Sequence, residues 1–448
     1  MTSRSRTMLI AGILLLLLTV SCLPQAALPA SPTLTVAPEA SVAAEAVTPS
    51  PSPATAEAGP EAISSPEPSL PVQITLWTVE AVSAQAGGEA GQIFGRGLRA
   101  FEINRSDVLV SVVLKNESGK GSVLDYLRTA SQAAPDILPD IVILDTVDLA
   151  PVARAGLAVP LDGLISPPLI SDLLPGARAA GTVDGQLVGI PFEMDVEHLI
   201  YNTNKVNATP MDWTDIISAS TPYVFPAKGR NGLVNDAFLI QYLALGGRLQ
   251  DEEGQPLINE QAVQAVLAYY RQGVEEGIIP ADVLTIGTPS DIWPNYVSAQ
   301  VGIAHVNSHR FLSDRSVLQS TQFATIPTHD GTPLTIGRGR ALAVVARDPN
   351  RRAIAASLIE WLVAPDNNAA WSQATSYLPT RYAAFNLIGD SDPYWPFLQR
   401  QLEVAVPPPS FPEYDQIGRV LQQAIIEVLS EGATPEEAAA TAVDAITP

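Results

Sequence analysis

Val72-Gln73-Ile74-Thr75-Leu76-Trp77 alternates apolar and polar side chains as a half-buried strand does, and it is the first stretch able to enter a core. Residues 92–101 then carry apolar residues at helical spacing, and 108–114 return to a strand pattern, so 72–114 reads as a βαβ unit. Ile141-Val142-Ile143-Leu144 is a short, continuous apolar run, the pattern of a strand buried on both faces of a parallel sheet. A helix is expected over 148–155, with Gly156 as its stop. The class is α/β. Ligands of open α/β sheets bind outside the carboxyl ends of the strands, which selects 77–80 and 145–148 as a rim, with Trp77, Glu80 and Asp145 as candidate contacts. The same residues also have a structural reading: Trp77 in the core, the two acids capping helices.

Upstream of the first strand the chain changes character. Residues 23–70 are dominated by Ala, Pro, Ser, Thr and Glu, without Lys, Arg or any aromatic residue, so they cannot bury a core and read as a disordered tether with a reach of about 5–6 Å × √n where flexible. Before it, Arg4 and Arg6 precede an apolar run over 8–20 that is short for a membrane span, so 1–22 reads as a signal peptide. The run ends in Thr19-Val20-Ser21-Cys22, and Cys22 is the only cysteine in the chain, which excludes an internal disulfide. The ending resembles a bacterial lipobox, with Thr19 where Leu is usual. The resemblance implies that Cys22 is acylated and anchors the protein to a membrane, stably if two or more chains are attached.

The 448 residues exceed what one core usually supports, so two lobes are expected. A formal charge of −22, from 47 Asp and Glu against 25 Lys and Arg, repels nucleic acid and other polyanions. Further helices are expected over 262–276, 351–363 and 418–429 from apolar spacings of three and four.

Several segments, in order, resemble the extracellular solute-binding proteins of family 1, which include the maltose- and sugar-binding proteins of ABC importers. Pro139-Asp140-Ile141-Val142-Ile143-Leu144-Asp145 followed by Leu157-Ala158-Val159-Pro160-Leu161-Asp162 resembles a first-lobe passage of that family. Asp184-Gly185-Gln186-Leu187-Val188-Gly189-Ile190-Pro191-Phe192 and Leu199-Ile200-Tyr201-Asn202 are its most specific match; by themselves the first two residues signal a turn and the run after them a strand. Ala299-Gln300-Val301-Gly302-Ile303-Ala304, Ser376-Tyr377-Leu378-Pro379-Thr380-Arg381 and Thr434-Pro435-Glu436-Glu437-Ala438 continue the likeness to the C-terminus. It implies a two-lobed, periplasmic-binding-protein-like (type II) fold with a hinge. Residues 71–195 and 303–358 would form lobe 1, and 196–302 and 359–448 lobe 2. The chain would cross between them near 194–197, 301–306 and 358–362. It also implies a monomer that grips a small solute, carbohydrate first, in the interlobe cleft and delivers it to an ABC importer permease.

The candidate ligand contacts follow from sugar chemistry, which uses aromatic faces and hydrogen-bonding acids and amides. Glu193 and Asp195 flank Met194 and point the same way in an extended segment. Asn307 and His309, with Ser308 and Arg310, stand where sugar binders of the family carry a stacking tryptophan, which is absent here. Arg338 lies between Gly337 and Gly339 in a loop that the family directs at the cleft, and Tyr377, Phe411 and Tyr414 are candidate aromatic walls with core packing as the alternative. His305 and His309 sit on a strand and loop, without helical ligand geometry, and neither a metal site nor a cofactor is expected. No nucleophile elbow, P-loop, H-E-x-x-H or G-x-G-x-x-G after a strand occurs, so an enzyme is not expected. The rivals are a secreted glycoside hydrolase working with two carboxylates, and a ligand-binding partner of a membrane sensor.

Overall fold

The computed structural model describes residues 70–446; the signal peptide, Cys22 and all of the tether but Leu70 lie outside that range. Strand β1 (Val72–Val79) runs parallel to β2 (Val108–Lys115) in unbroken register from Val72 opposite Val108 to Val79 opposite Lys115, with the helix Gly88–Asn104 between them. β3 (Ile141–Asp145) adds parallel on the other edge of β1, and its first four residues are buried. The expected βαβ unit and the buried strand are therefore both present. The helix after β3 spans only Leu149–Arg154, behind a 3-10 turn, and Gly156 follows it at φ 67°, a left-handed conformation that ends a helix cheaply only at glycine.

Asp184 and Gly185 sit at φ 48° and 79°, the geometry of a two-residue hairpin turn, and join β4 (Thr182–Val183) to β5 (Gln186–Leu187). The apolar run does not continue as one strand from there. A new strand, β6 (Ile190–Asn202), takes in both Ile190-Pro191-Phe192 and Leu199-Ile200-Tyr201-Asn202 in thirteen residues. The remaining strands are β7 (Tyr223–Val224), β8 (Ile303–Asn307), β9 (Thr321–Ala324), β10 (Thr335–Val344) and β11 (Ala405–Val406). They complete a nine-stranded mixed sheet in the order β2-β1-β3-β10-β6-β8-β7, with β11 on β10 and β9 on β6. The expected later helices occur as Glu260–Glu275, Pro349–Leu362 and Tyr414–Ile426, the last continued by a π-helical turn, Glu427–Glu431. The final helix, Pro435–Asp444, starts on a capping box in which Thr434 and Glu437 satisfy each other's backbone N–H groups.

Three hydrophobic cores show where the sheet changes partners. The first gathers β1, β3, the helices Gly88–Asn104 and Pro349–Leu362, and Trp371, whose ring centroid lies 5.0 Å from that of Phe192 and 6.0 Å from that of Phe94. The second and third cover the two faces of the other half of the sheet, and β6 passes from Ile190 and Phe192 in the first core to Met194 and Val196 in the third and Leu199 and Tyr201 in the second. β10 returns antiparallel beside it, from Ile336 in the second core to 341–344 in the first.

Core membership divides the chain at other points than the expected bounds. Ile303 lies in the second core and Ala304 and Val306 in the third, because β8 pairs with β6 beyond the crossing and with β7, so 303–336 packs with the second half and not with lobe 1. Leu358, Ile359 and Leu362 all face the first core from one helix, so the chain does not cross there either. It crosses between Trp371 in the first core and Leu378 in the third. Among the described residues no helix is long and apolar enough to span a membrane.

Close approach of β6 and β10 depends on Gly339, where an added Cβ would lie 2.0 Å from the Glu193 carbonyl oxygen and 2.8 Å from the Met194 sulfur. Both are parts of the crossing itself, so Gly339→Ala is expected to lower unfolding stability by about 1–3 kcal/mol, measured by denaturant titration.

Candidate functional site

Alternation along β6 puts Glu193, Asp195 and Glu197 on one face and buries Met194 and Val196 on the other. β10 lies antiparallel to it in a register that sets Arg340 opposite Glu193 and Arg338 opposite Asp195. Three charged residues from β6 and two from β10 therefore share one face, and groups from both halves of the chain converge on it.

Arg340 is the centre of the first-core side. Its Nη1 donates to Glu193 Oε1 at 2.6 Å, its Nη2 donates to Glu117 Oε2 at 3.1 Å, and its Nε lies 3.6 Å from Asp145 Oδ1. Trp371 Nε1 donates to the second Glu193 oxygen at 2.7 Å, which ties the pair to the first core. Glu193 is 1% exposed, and burial pushes its carboxyl up against the opposing pull of Arg340 and Trp371. Burial also raises Asp145, countered by Arg340, and raises Asp148 to about 6 with Asp145 adding to it.

Asp195 accepts hydrogen bonds on both oxygens. Its Oδ1 accepts from the Ser308 hydroxyl at 2.6 Å and the His309 N–H at 2.9 Å, and its Oδ2 accepts from Asn307 Nδ2 at 2.6 Å. Asn307 in turn caps the helix Ser308–Asp314 by accepting from the Arg310 N–H. Burial raises Asp195 to about 7, with Glu197 adding to the rise and the donors opposing it. Glu197 meets His305 Nε2 at 3.0 Å.

The aromatic surface comes from Tyr377 and His309, stacked with centroids 4.2 Å apart, with the Arg340 guanidinium 6.0 Å from the Tyr377 ring. Burial pushes the Tyr377 hydroxyl up to about 12, Glu193 contributing, and pulls His309 down, with Arg310 and Arg340 in the same direction. On the other side Arg338 makes a two-pronged pair with Asp236, at 3.1 and 2.5 Å. Burial pushes the Tyr414 hydroxyl up, with Asp236 adding to the rise and Arg338 opposing it, and its ring centroid lies 5.8 Å from that of Phe411.

Seven of the ten expected contacts are thus brought together, Asp145, Glu193, Asp195, Asn307, His309, Arg338 and Tyr377, while Tyr414 feels the charges of Asp236 and Arg338. Trp77 is not open to the cleft. It is 4% exposed beneath Tyr126 and the Lys115 ammonium, 4.1 Å from its ring, because the parallel register with β2 sets Lys115 opposite Val79 on the same face. Glu80 is exposed at the start of a 3-10 turn and makes no hydrogen bond or ion pair with the group. Arg340, Glu117, Asp236 and Trp371 were missed. Arg340 was readable from Gly337-Arg338-Gly339-Arg340, where period-two spacing puts both arginines on one strand face. The other three are neighbours only through tertiary packing. Among the described residues no group of three or more His, Cys, Asp or Glu is placed to hold a metal ion.

Asp195 gives a pH test. Its folded value of about 7 stands above the unfolded value of about 3.9, so its contribution to stability is fully present below about pH 4 and is lost as pH rises through about 7. Denaturant unfolding between pH 5 and 8 is expected to show wild type losing more stability with rising pH than Asp195→Asn; parallel pH profiles would contradict the assignment.

A model of the bacterial extracellular solute-binding proteins matches residues 106–395. The cyclic alpha-maltosyl-1,6-maltose binding protein of Arthrobacter globiformis superposes with a TM-score of 0.69 at 21% identity, over 84% of this chain and 98% of that one. The sugar-binding protein MalE of Xanthomonas citri gives 0.69 at 18%, over 84% and 96%. A solute-binding protein of Thermotoga lettingae bound with alpha-D-tagatose gives 0.64 at 20%, over 84% and 99%. A search of curated protein sequences finds no match. The structural likeness shows the two-lobed α/β fold. With the family model spanning well over half of its length, the chain belongs to the bacterial extracellular solute-binding proteins.

Proposed function

We propose that this protein captures a small carbohydrate between its lobes, outside the cytoplasmic membrane, and delivers it to the permease of an ABC importer without chemically changing it. The observation that carries the reading is the shared face of β6 and β10. Asp145 and Glu117 reach it from the first half, and Asp236, His309 and Tyr377 reach it from the second. A ligand touching both sets favours closure, and closure selected by ligand is a signal a permease can read. By core membership the lobes are then 70–173 and 181–193 with 340–371, and 194–339 with 372–446 joined by 174–180, whose Leu174, Ala177 and Ala180 pack into the third core, and Cys22, if acylated, holds them to the membrane through the tether.

Carbohydrate is supported by the chemistry of the face and by the structural neighbours, whose names record maltose-type sugars and tagatose. Paired carboxylates and guanidinium groups satisfy hydroxyls in the directions a sugar presents them. The stacking surface is unusual for such a site. All six tryptophans are committed elsewhere: Trp77 under Lys115, Trp213 on Tyr269, Trp293 under Arg310, Trp361 to the Gly97 carbonyl, Trp371 to Glu193 and Trp395 beside Phe385. The Tyr377–His309 pair is left to meet a ring face, which favours a short saccharide over a long one stacked on several platforms.

The test is a thermal-shift screen of the purified protein against mono- and oligosaccharides, polyols, phosphate esters, amino acids and short peptides. A saccharide present at a hundred times its Kd is expected to stabilise by about 2.7 kcal/mol, read as a raised Tm. A hit confined to peptides or amino acids would overturn the carbohydrate assignment, and turnover of a bound glycoside would overturn the transport reading.

A further inference from the structure

Beside the crossing, and lined by different residues from the charged face, lies a cavity of about 590 Å³. That is within the roughly 300–1,000 Å³ of small-molecule pockets. Leu243, Leu334, Val406 and Phe411 line it and are only partly buried, although each packs against the second core. Half-covered side chains of that size leave apolar area in water at about 25 cal/mol per Å². Three polar side chains of its wall are already engaged. Thr146 Oγ1 accepts from the Gly339 N–H, Thr182 Oγ1 donates to the Arg178 carbonyl, and Gln250 Nε2 donates to the Gly254 carbonyl. At the rim, the Arg154 guanidinium is held by both Asp184 oxygens, at 2.8 and 3.0 Å, and by the Ser410 carbonyl at 2.9 Å. The charge there is therefore neutralised within the protein.

We propose that this cavity is a second binding site, for an uncharged and mostly apolar small molecule. A sugar or an ion finds few free partners in it and would leave the apolar wall uncovered. An apolar occupant covers that wall and disturbs no existing hydrogen bond. Thr146 and Ala150 come from the first half of the chain and Leu243 and Leu334 from the second, so the occupant bridges the two. On the hinge reading of the proposed function, it would also bias how the lobes move.

The probe is N-phenyl-1-naphthylamine, an uncharged dye that brightens in apolar surroundings, titrated into the full chain. Wild type is compared with Ala179→Phe, whose ring occupies the cavity, and Leu334→Gln, which places an amide in its wall. The expected result is a saturable, one-to-one signal in wild type, weakened at least tenfold in every variant whose unfolding temperature shows it to be folded. Absence of a saturable wild-type signal, or equal dye affinity in a folded variant, overturns the proposal. Neither outcome depends on whether the cleft takes a carbohydrate, so failure of this site and failure of the transport reading are distinguishable.

Discussion

A carboxylate removed from water must be paired, and at the crossing of β6 and β10 that carboxylate is Glu193. Arg340, one strand over, and Trp371, from the first core, take one oxygen each. Breaking such a pair by deleting one partner costs about 3–5 kcal/mol, since it leaves an uncompensated charge in the interior. The pair thus fixes the register of the two strands at the place where the chain changes cores, and the positions of Asp195 and Arg338 follow by alternation. Gly339 allows the approach, and Met194 and Val196 seal the opposite face.

The electrostatics of the site follow from this arrangement. One guanidinium serves Glu193, Glu117 and Asp145, so the carboxylates on the first-core side outnumber their cation. Burial raises Asp145 and Asp148, neighbouring carboxylates adding to it, and burial raises Asp195 despite three donors. Arg338, although opposite Asp195 in register, reaches across to Asp236 in the helix Asp236–Ala244. On the proposed function, a ligand entering here would meet groups held in place by the protein, with little rearrangement left for the moment of binding.

Much of this was legible in the sequence because it is local. The alternation of 72–77, the continuous apolar run 141–144 and the Asp184-Gly185 turn each report a backbone state set by neighbouring residues. The spacing of Glu193 and Asp195 reported a shared strand face for the same reason. What depended on partner choice was not legible. The run Ile303-Ala304-His305-Val306 reads as a strand in either lobe, and only its pairing with β6 beyond the crossing assigns it to the second. Trp77 sits at the carboxyl end of a strand, as a cleft residue would, yet a helix residue, Tyr126, and Lys115 cover it. Glu117 and Asp236 carry no local pattern at all, and they reach the site through ion pairs with arginines 223 and 102 residues away.

On the proposed function, the face built on the Arg340–Glu193 pair grips the solute. The most direct measurement is calorimetric titration of the screened saccharide into wild type and into the double variant Glu193→Gln/Arg340→Met, which removes both charges and so leaves neither buried alone. The expected result is a folded double variant with affinity lowered at least tenfold. A folded double variant that binds the saccharide as tightly as wild type would contradict it.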